Sequence, residues 1–184
     1  MCKVGAKTMF KYNQHRPPII LDIEATGLAN ASYPIEVGFY CSDTKRYSAL
    51  IKPADKWTYW STEAEALHRI KHSDLIETGK HLRTVAYELN QHLEGKTVYS
   101  DAWAVDSTWL RKLYYQAALE PSFRLSSLEL IMTEAMINIW DKTKRQIIKE
   151  LGLTRHRASS DAKIIQNTWK RAFILSQGNI TVKA

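Results

Sequence analysis

Cysteine is scarce in this chain: two in 184 residues, Cys2 and Cys41. Their spacing makes neither a disulfide framework nor a metal-ligand pair, so both are expected to be free thiols. No apolar run approaches the roughly 20 residues of a membrane span, and the N-terminus lacks the unbroken apolar stretch of a secretory signal. These absences exclude a disulfide-stapled scaffold and a helical membrane protein, and they set the expectation of a soluble, intracellular, cytoplasmic protein. No internal repeat, low-complexity tract or linker divides the chain. Acidic residues are also in deficit, with 19 Asp+Glu against 26 Lys+Arg and a net charge of +7. That balance suits a polyanionic partner such as nucleic acid.

What is present is the 45% apolar content of a folded globule, at the length of one ordinary domain. Residues 1–18 carry four Lys/Arg, no acid and the pair Pro17-Pro18, and read as a basic lead-in. A single domain is expected over 19–176, with 177–184 as a C-terminal tail. Ile19-Ile20-Leu21 runs into Asp22-Ile23-Glu24 and stops at Thr26-Gly27, which predicts a short buried strand ended by a glycine turn. Segments 35–41 and 46–52 flank the polar Ser42-Asp43-Thr44-Lys45 as a hairpin. Further strands are expected at 97–99 and near 123–125. Helical spacing occurs at 62–70, 81–93, 107–119, 128–139, 142–151 and 159–176. The order βββαβαβα predicts an α/β fold: a mixed five-stranded β-sheet with α-helices on its faces.

Asp22 and Glu24 stand two apart on the first strand, so their side chains share a face at its C-terminal end. Taken alone, such a pair is commonly the polar half of a solvent-facing strand. Here the apolar run before it argues for a central strand, where like charges need a compensating partner, and a bound cation is one. Asp106 opens a helical pattern, where an aspartate also complements the macrodipole, and Asp101 competes with it for any metal role. His156 and Asp161 lie just before and within the last helix. Five residues of unbroken helix would rotate them about 140° apart, so they converge only if His156 lies in the lead-in loop.

Read jointly, D-I-E-A-T-G-L, a later D and H-x-x-x-x-D occur in one order with domain-like spacing. The pattern resembles the DEDDh branch of the DnaQ-like 3'→5' exonucleases, whose fold is ribonuclease-H-like. The resemblance runs from Ile19 to about Ala172. It includes a weaker A-x-x-x-H-G-I element at 64–70, with Arg69 in place of the glycine, and Leu151-Gly152-Leu153 before the histidine motif. Leu125-Ser126-Ser127-Leu128 sits where the family often has D-T-L. The second motif departs: family members often show H-N-A-x-F-D, and this chain has Asp101-Ala102-Trp103-Ala104-Val105-Asp106.

The resemblance implies a metal-dependent 3'→5' exonuclease. Asp22, Glu24, Asp106 and Asp161 would hold two divalent ions, Mg²⁺ or else Mn²⁺, and His156 would take a proton from the attacking water. It implies substrate contacts from Ala25 and Thr26 to the terminal 3'-hydroxyl, and a wedge from Leu28, which equally reads as core. Tyr33, Trp57, Tyr59, Trp60 and Trp103 are candidate base-stacking residues, Trp103 foremost for its place in the second motif. The implied partner is the 3' end of single-stranded DNA or RNA, with no membrane. Oligomeric state stays open, a homodimer being one option. The alternatives are a catalytically weak or inactive nucleic-acid-binding module on the same fold, and an interaction module using a sheet edge or the basic N-terminus.

Overall fold

The computed structural model of the protein describes residues 16–42 and 44–177. Cys2, nearly all of the lead-in and the tail from 178 onward lie outside the described residues. Six strands form one sheet in the order β4-β3-β2-β1-β5-β6. β1 (Ile20–Ala25), β2 (Pro34–Ser42) and β3 (Lys45–Lys52) form an antiparallel meander; β5 (Thr97–Ser100) and β6 (Arg124–Ser127) add parallel to β1. The mixed sheet flanked by helices is therefore as the element order predicts. The sixth strand is β4 (Lys80–His81), which pairs parallel with β3. At two residues it is too short to carry any alternation that sequence could display.

The alternation of β1 decides what each side of the sheet does. Leu21 and Ile23 face one layer, packing with Val37 and Phe39 of β2, Val85 and Leu89 of α3 (Leu82–Leu93) and Leu113 of α4 (Trp103–Ala117). Ile20 faces the other layer, with Tyr40 and with Ala162, Ile165 and Trp169 of α6 (Ala158–Gln177). Each fully buried Leu or Ile contributes on the order of 1.5–3 kcal/mol, so the register of β1 is strongly specified. Asp22 and Glu24 therefore project on the α6 side.

The helices differ from the sequence reading in three places. α1 (Thr62–His68) is followed by a further short helix, α2 (His72–Glu77). α4 starts at Trp103, one turn before 107. The segments 128–139 and 142–151 become a 3-10 turn at Leu128–Ile131 and one continuous α5 (Glu134–Leu151). The hydroxyl of Thr133 accepts from the Met136 amide and starts α5, and no Gly or Pro stands between 139 and 142 to interrupt it. Among the described residues, no helix is long and apolar enough to cross a membrane, and Cys41 is a free thiol.

Candidate active site

At the C-terminal end of β1 the acids converge from both layers. Asp22 and Glu24 come from the strand, Asp161 from the first turn of α6, and Asp106 from the first turn of α4 in the opposite layer. Burial pushes the Asp22 carboxyl well above the usual carboxylate range, and the charges of Asp106, Glu24, Asp161 and Asp101 push it the same way. Burial, then Asp161, Glu36 and Asp106, raise Glu24 to about 7, against the pull of Arg157. Burial also raises Asp106 to about 7, although the Ser100 hydroxyl donates to its carboxylate. These carboxylates thus stand where their own mutual repulsion opposes ionisation.

His156 lies in the loop before α6, as its convergence with Asp161 requires, and holds a left-handed φ of 59°. Its backbone amide donates to Asp161 Oδ2 at 3.3 Å, and Arg155 Nε donates to Asp161 Oδ1 at 2.9 Å. Ligand atoms of Glu24, His156 and Asp161 all lie within 4.8 Å of one another. A non-glycine residue at this φ is uncommon and costs roughly 1–2 kcal/mol. The surrounding contacts hold it there.

Those contacts come largely from β2. Glu36 is 2% exposed and stands directly opposite Glu24 in the β1–β2 register. It accepts two hydrogen bonds from Arg157, at 3.0 and 2.9 Å, one from the Ala158 amide at 3.0 Å and one from the Ser48 hydroxyl at 2.8 Å. Arg157 and Ala158 directly follow His156, so Glu36 anchors the loop that carries it. Gly38, opposite Asp22, lets α6 approach: a Cβ there would sit 2.5 Å from the Ser159 nitrogen. Sequence reasoning missed Glu36, Gly38, Arg157 and Ser100. In the sequence Glu36 is one acid in an alternating strand, 121 residues from its arginine.

The two aspartates of the second motif occupy different environments. Asp106 is 2% exposed and joins the cluster, whereas Asp101 is ion-paired with Lys144 of α5 at 2.6 Å. Of the other expected contacts, Ala25 is half-buried and Leu28 is 84% exposed, which removes the core reading of Leu28. Thr26 has no exposed surface; its hydroxyl accepts from the Tyr33 amide, and its backbone bonds Tyr33 and Ser61. Thr26 therefore shapes the turn from inside. Tyr33 is corrected from base stacker to core: it is fully buried and stacks on the half-buried Trp57 at 5.1 Å. Trp60 is tied to Glu65 at 2.6 Å. Trp103 is 44% exposed, its indole N–H reaching the Leu125 carbonyl at 3.3 Å.

The donor set fits hard divalent cations. Carboxylate oxygens are what Mg²⁺ and Mn²⁺ take. No described residue donates a hydrogen bond to the carboxylate of Asp22 or Glu24, so positive charge brought from outside would relieve the repulsion that raises them.

Solved structures of E. coli exonuclease I share this fold. Its complex with a dA16 oligonucleotide aligns with a TM-score of 0.64 at 14% identity, over 88% of this chain and 43% of that one. A zinc-bound complex with single-stranded DNA aligns at 0.60 and 12%, over 91% and 41%. A complex with a dT13 oligonucleotide gives 0.61 and 12%, over 87% and 42%. The chain thus spans less than half the length of these exonuclease I chains. At such identities the likeness is one of fold, and it is ribonuclease-H-like. No family model matches the chain, and no curated protein does.

Proposed function

We propose that the domain over 19–176 is a metal-dependent 3'→5' exonuclease of the DEDDh kind, hydrolysing phosphodiester bonds at the 3' end of single-stranded DNA or RNA in the cytoplasm. The observation that carries this reading is the convergence of Asp22, Glu24, Asp106 and Asp161 with His156 on one half-buried, like-charged cluster. A surface that merely binds nucleic acid gains nothing from clustered carboxylates, which repel phosphate; a hydrolytic centre needs them.

Asp22, Glu24, Asp106 and Asp161 would hold two divalent ions, Mg²⁺ or Mn²⁺. Such ions, when bound, activate water and stabilise charge on the attacking and leaving oxygens. His156 takes the proton of the attacking water, its ring carried by a loop that Glu36 and Asp161 hold in place. Leu28, exposed beside the β1 turn, is free to wedge against a terminal base, and Trp103 to stack on one. A second reading arises from the same cluster: with Glu24 and Asp161 so near its ring, His156 itself serves as a metal ligand.

The test is degradation of end-labelled DNA and RNA oligonucleotides, single-stranded and duplex, with added Mg²⁺ or Mn²⁺ and an Asp22→Ala control. Mononucleotides released from the 3' end, with a 3'-phosphate obstructing, are expected. Cleavage of a circular single strand as readily as a linear one would refute exonuclease action. Binding without cleavage would leave the inactive-module reading.

A further inference from the structure

Along the outer side of α4 runs a groove that the acid cluster does not use. Its walls are one face of α4 and the segment 121–125, which leads into β6, the edge strand beyond β5. Two adjoining clefts share Leu110, Arg111 and Pro121: one of about 460 Å³ reaching back to Trp103, and one of about 300 Å³ reaching on to Tyr115. A third cleft of about 460 Å³ opens from Arg124 toward Lys96. Trp103, Ser107, Leu110, Arg111 and Tyr114 recur at helical spacing, so the groove follows the helix from Trp103 to Tyr115, about 18 Å at 1.5 Å per residue.

The lining has a definite chemistry. Arg111, Arg124 and Lys96 supply three cations against the single carboxylate of Glu120. Arg111 Nε meets only the Ser107 carbonyl of its own helix, at 3.3 Å. Among the described residues, neither arginine is ion-paired. Trp103 at 44% and Tyr115 at 87% exposure mark the two ends, large aromatic faces left to solvent. Spaced cations with open π-faces between them are what a single nucleic-acid strand binds without regard to sequence. One end of the groove is fixed by Trp103, a single turn before Asp106 in the acid cluster.

We propose that this groove carries the single strand 5' of the terminal nucleotide, with Arg111 and Arg124 on its phosphates and Trp103 and Tyr115 stacking on its bases. This rests on the exonuclease reading for its direction, and on the groove alone for its ligand. At about 3.4 Å per stacked nucleotide, the roughly 18 Å between Trp103 and Tyr115 along the helix accommodates about five nucleotides. The occupant is a nucleic-acid strand, and a polypeptide added to the β6 edge is the competing outcome.

The experiment is fluorescence anisotropy with labelled oligothymidylates of three and twelve nucleotides. It uses the full chain carrying Asp22→Asn so that the strands stay intact. The twelve-mer should bind more tightly than the three-mer. Adding Arg111→Glu and Arg124→Glu should lower that affinity ratio about tenfold, and the slope of log affinity against log salt should fall by about 1.4, near 0.7 per lost phosphate contact. The Gln pair, which adds no repulsion and keeps side-chain bulk, should lower the slope equally. Tyr115→Ala should weaken the twelve-mer about fivefold or more. An unchanged length ratio or an unchanged salt slope in both arginine pairs overturns the proposal and leaves the groove to a polypeptide. The degradation assay is separate: cleavage with a groove that fails this test, or groove binding without cleavage, tells the two readings apart.

Discussion

Glu24 and Glu36 face each other across β1 and β2, in register and on the same side of the sheet, yet they live in opposite circumstances. Glu36 collects a guanidinium, a backbone amide and a hydroxyl. Glu24 collects none of these from the described residues, and is raised to about 7 by burial and neighbouring carboxylates. The protein contains enough arginine to neutralise both. That arginine pairs with Glu36 beneath the His156 loop and with Asp161 beside it, and leaves Asp22 and Glu24 without an ion-pair partner among the described residues, divides the region into an anchor and a receptor for cations. Buried charge left unpaired is expensive, so the asymmetry itself points to the outside ligand.

The strongest way to break this comparison is to remove carboxylates one at a time. Asp106→Asn should cost on the order of a thousandfold in cleavage, since stabilisation by a bound ion is worth several kcal/mol. Asp101→Asn, which loses only the Lys144 pair, should cost about tenfold or less. Single-turnover cleavage by both variants, with circular dichroism to show folding, decides it. Equal losses would place Asp101 in the receptor as well.

His156 sits between the two regions, and its substitution shows to which it belongs. As general base, His156→Ala should lose about 10²–10⁴-fold in turnover while keeping Mn²⁺ affinity by calorimetry. Asp161→Ala should weaken Mn²⁺ binding. If the two variants lose metal affinity alike, His156 is a ligand, as its closeness to Glu24 and Asp161 allows.

The anchor side should yield smaller effects of another kind. Glu36→Ala strands Arg157, whose side chain is 42% exposed, so solvent offsets part of the usual penalty for a broken buried pair. A loss of about 2 kcal/mol remains, roughly 4–8 °C in Tm, with about a tenfold to hundredfold loss in turnover as the His156 loop slackens. Gly38→Ala should act similarly by pushing on Ser159. A fall in Tm with kcat unchanged would reduce Glu36 to a fold-holding role.

Half of this arrangement was open to sequence reasoning, and the line between the halves is physical. Asp22 and Glu24 were legible because strand periodicity puts them on one face after an apolar run. His156 was singled out by the resemblance of the joint motif pattern, and helical rotation added only that it must lie in the loop before the helix that carries Asp161. Glu36 was not, because its meaning lies in a partner 121 residues away and Pro34-Ile35-Glu36-Val37-Gly38 reads as ordinary alternation. Tyr33 was one of several candidate base stackers, but the turn after β1 bonds it to Thr26 and buries it. The meander β1–β3 was visible in its hairpin signals. β4 and α2 were not, being too short for a period, and α5 was split where no breaker exists.

The receptor side should also respond to pH when no metal is bound. Glu24 and Asp106 are each raised to about 7, from the usual value near 4 in an unfolded chain. The folded state therefore binds more protons between about pH 4 and pH 7. These groups favour folding at the acidic end, and that contribution is lost as pH rises through about 7. In EDTA, the change in Tm on going from pH 5 to pH 8 should be several degrees more unfavourable in the parent than in Asp106→Asn. Mn²⁺ should raise the parent's Tm more at pH 8 than at pH 5. Identical pH profiles for parent and variant would mean that the cluster carries no such penalty.

The smallest effect tests whether an unrelieved cost is by itself a sign of function. Arg69 holds φ 57°, almost the left-handed value of His156, but caps α1, a helix that supplies none of the cluster's four acids. It is exposed, its amide bonds Glu65 at 2.7 Å, and no described residue bonds its guanidinium. Glycine adopts this conformation without the Cβ clash, so Arg69→Gly should stabilise by about 0.5–1 kcal/mol, roughly 1–4 °C in Tm. Arg69→Ala should be near neutral, because alanine keeps the Cβ and loses only a solvent-facing side chain. Neither change should alter cleavage. With that result, backbone strain occurs at an inert position and an active one alike, and the mark of the site is the convergence of carboxylates of which Asp22 and Glu24 have no ion-pair partner among the described residues. If Arg69→Gly destabilises while Arg69→Ala does not, the conformation is held by something other than the fold's tolerance of strain; if either variant loses cleavage, Arg69 belongs to the site and the division between anchor and receptor is drawn too narrowly.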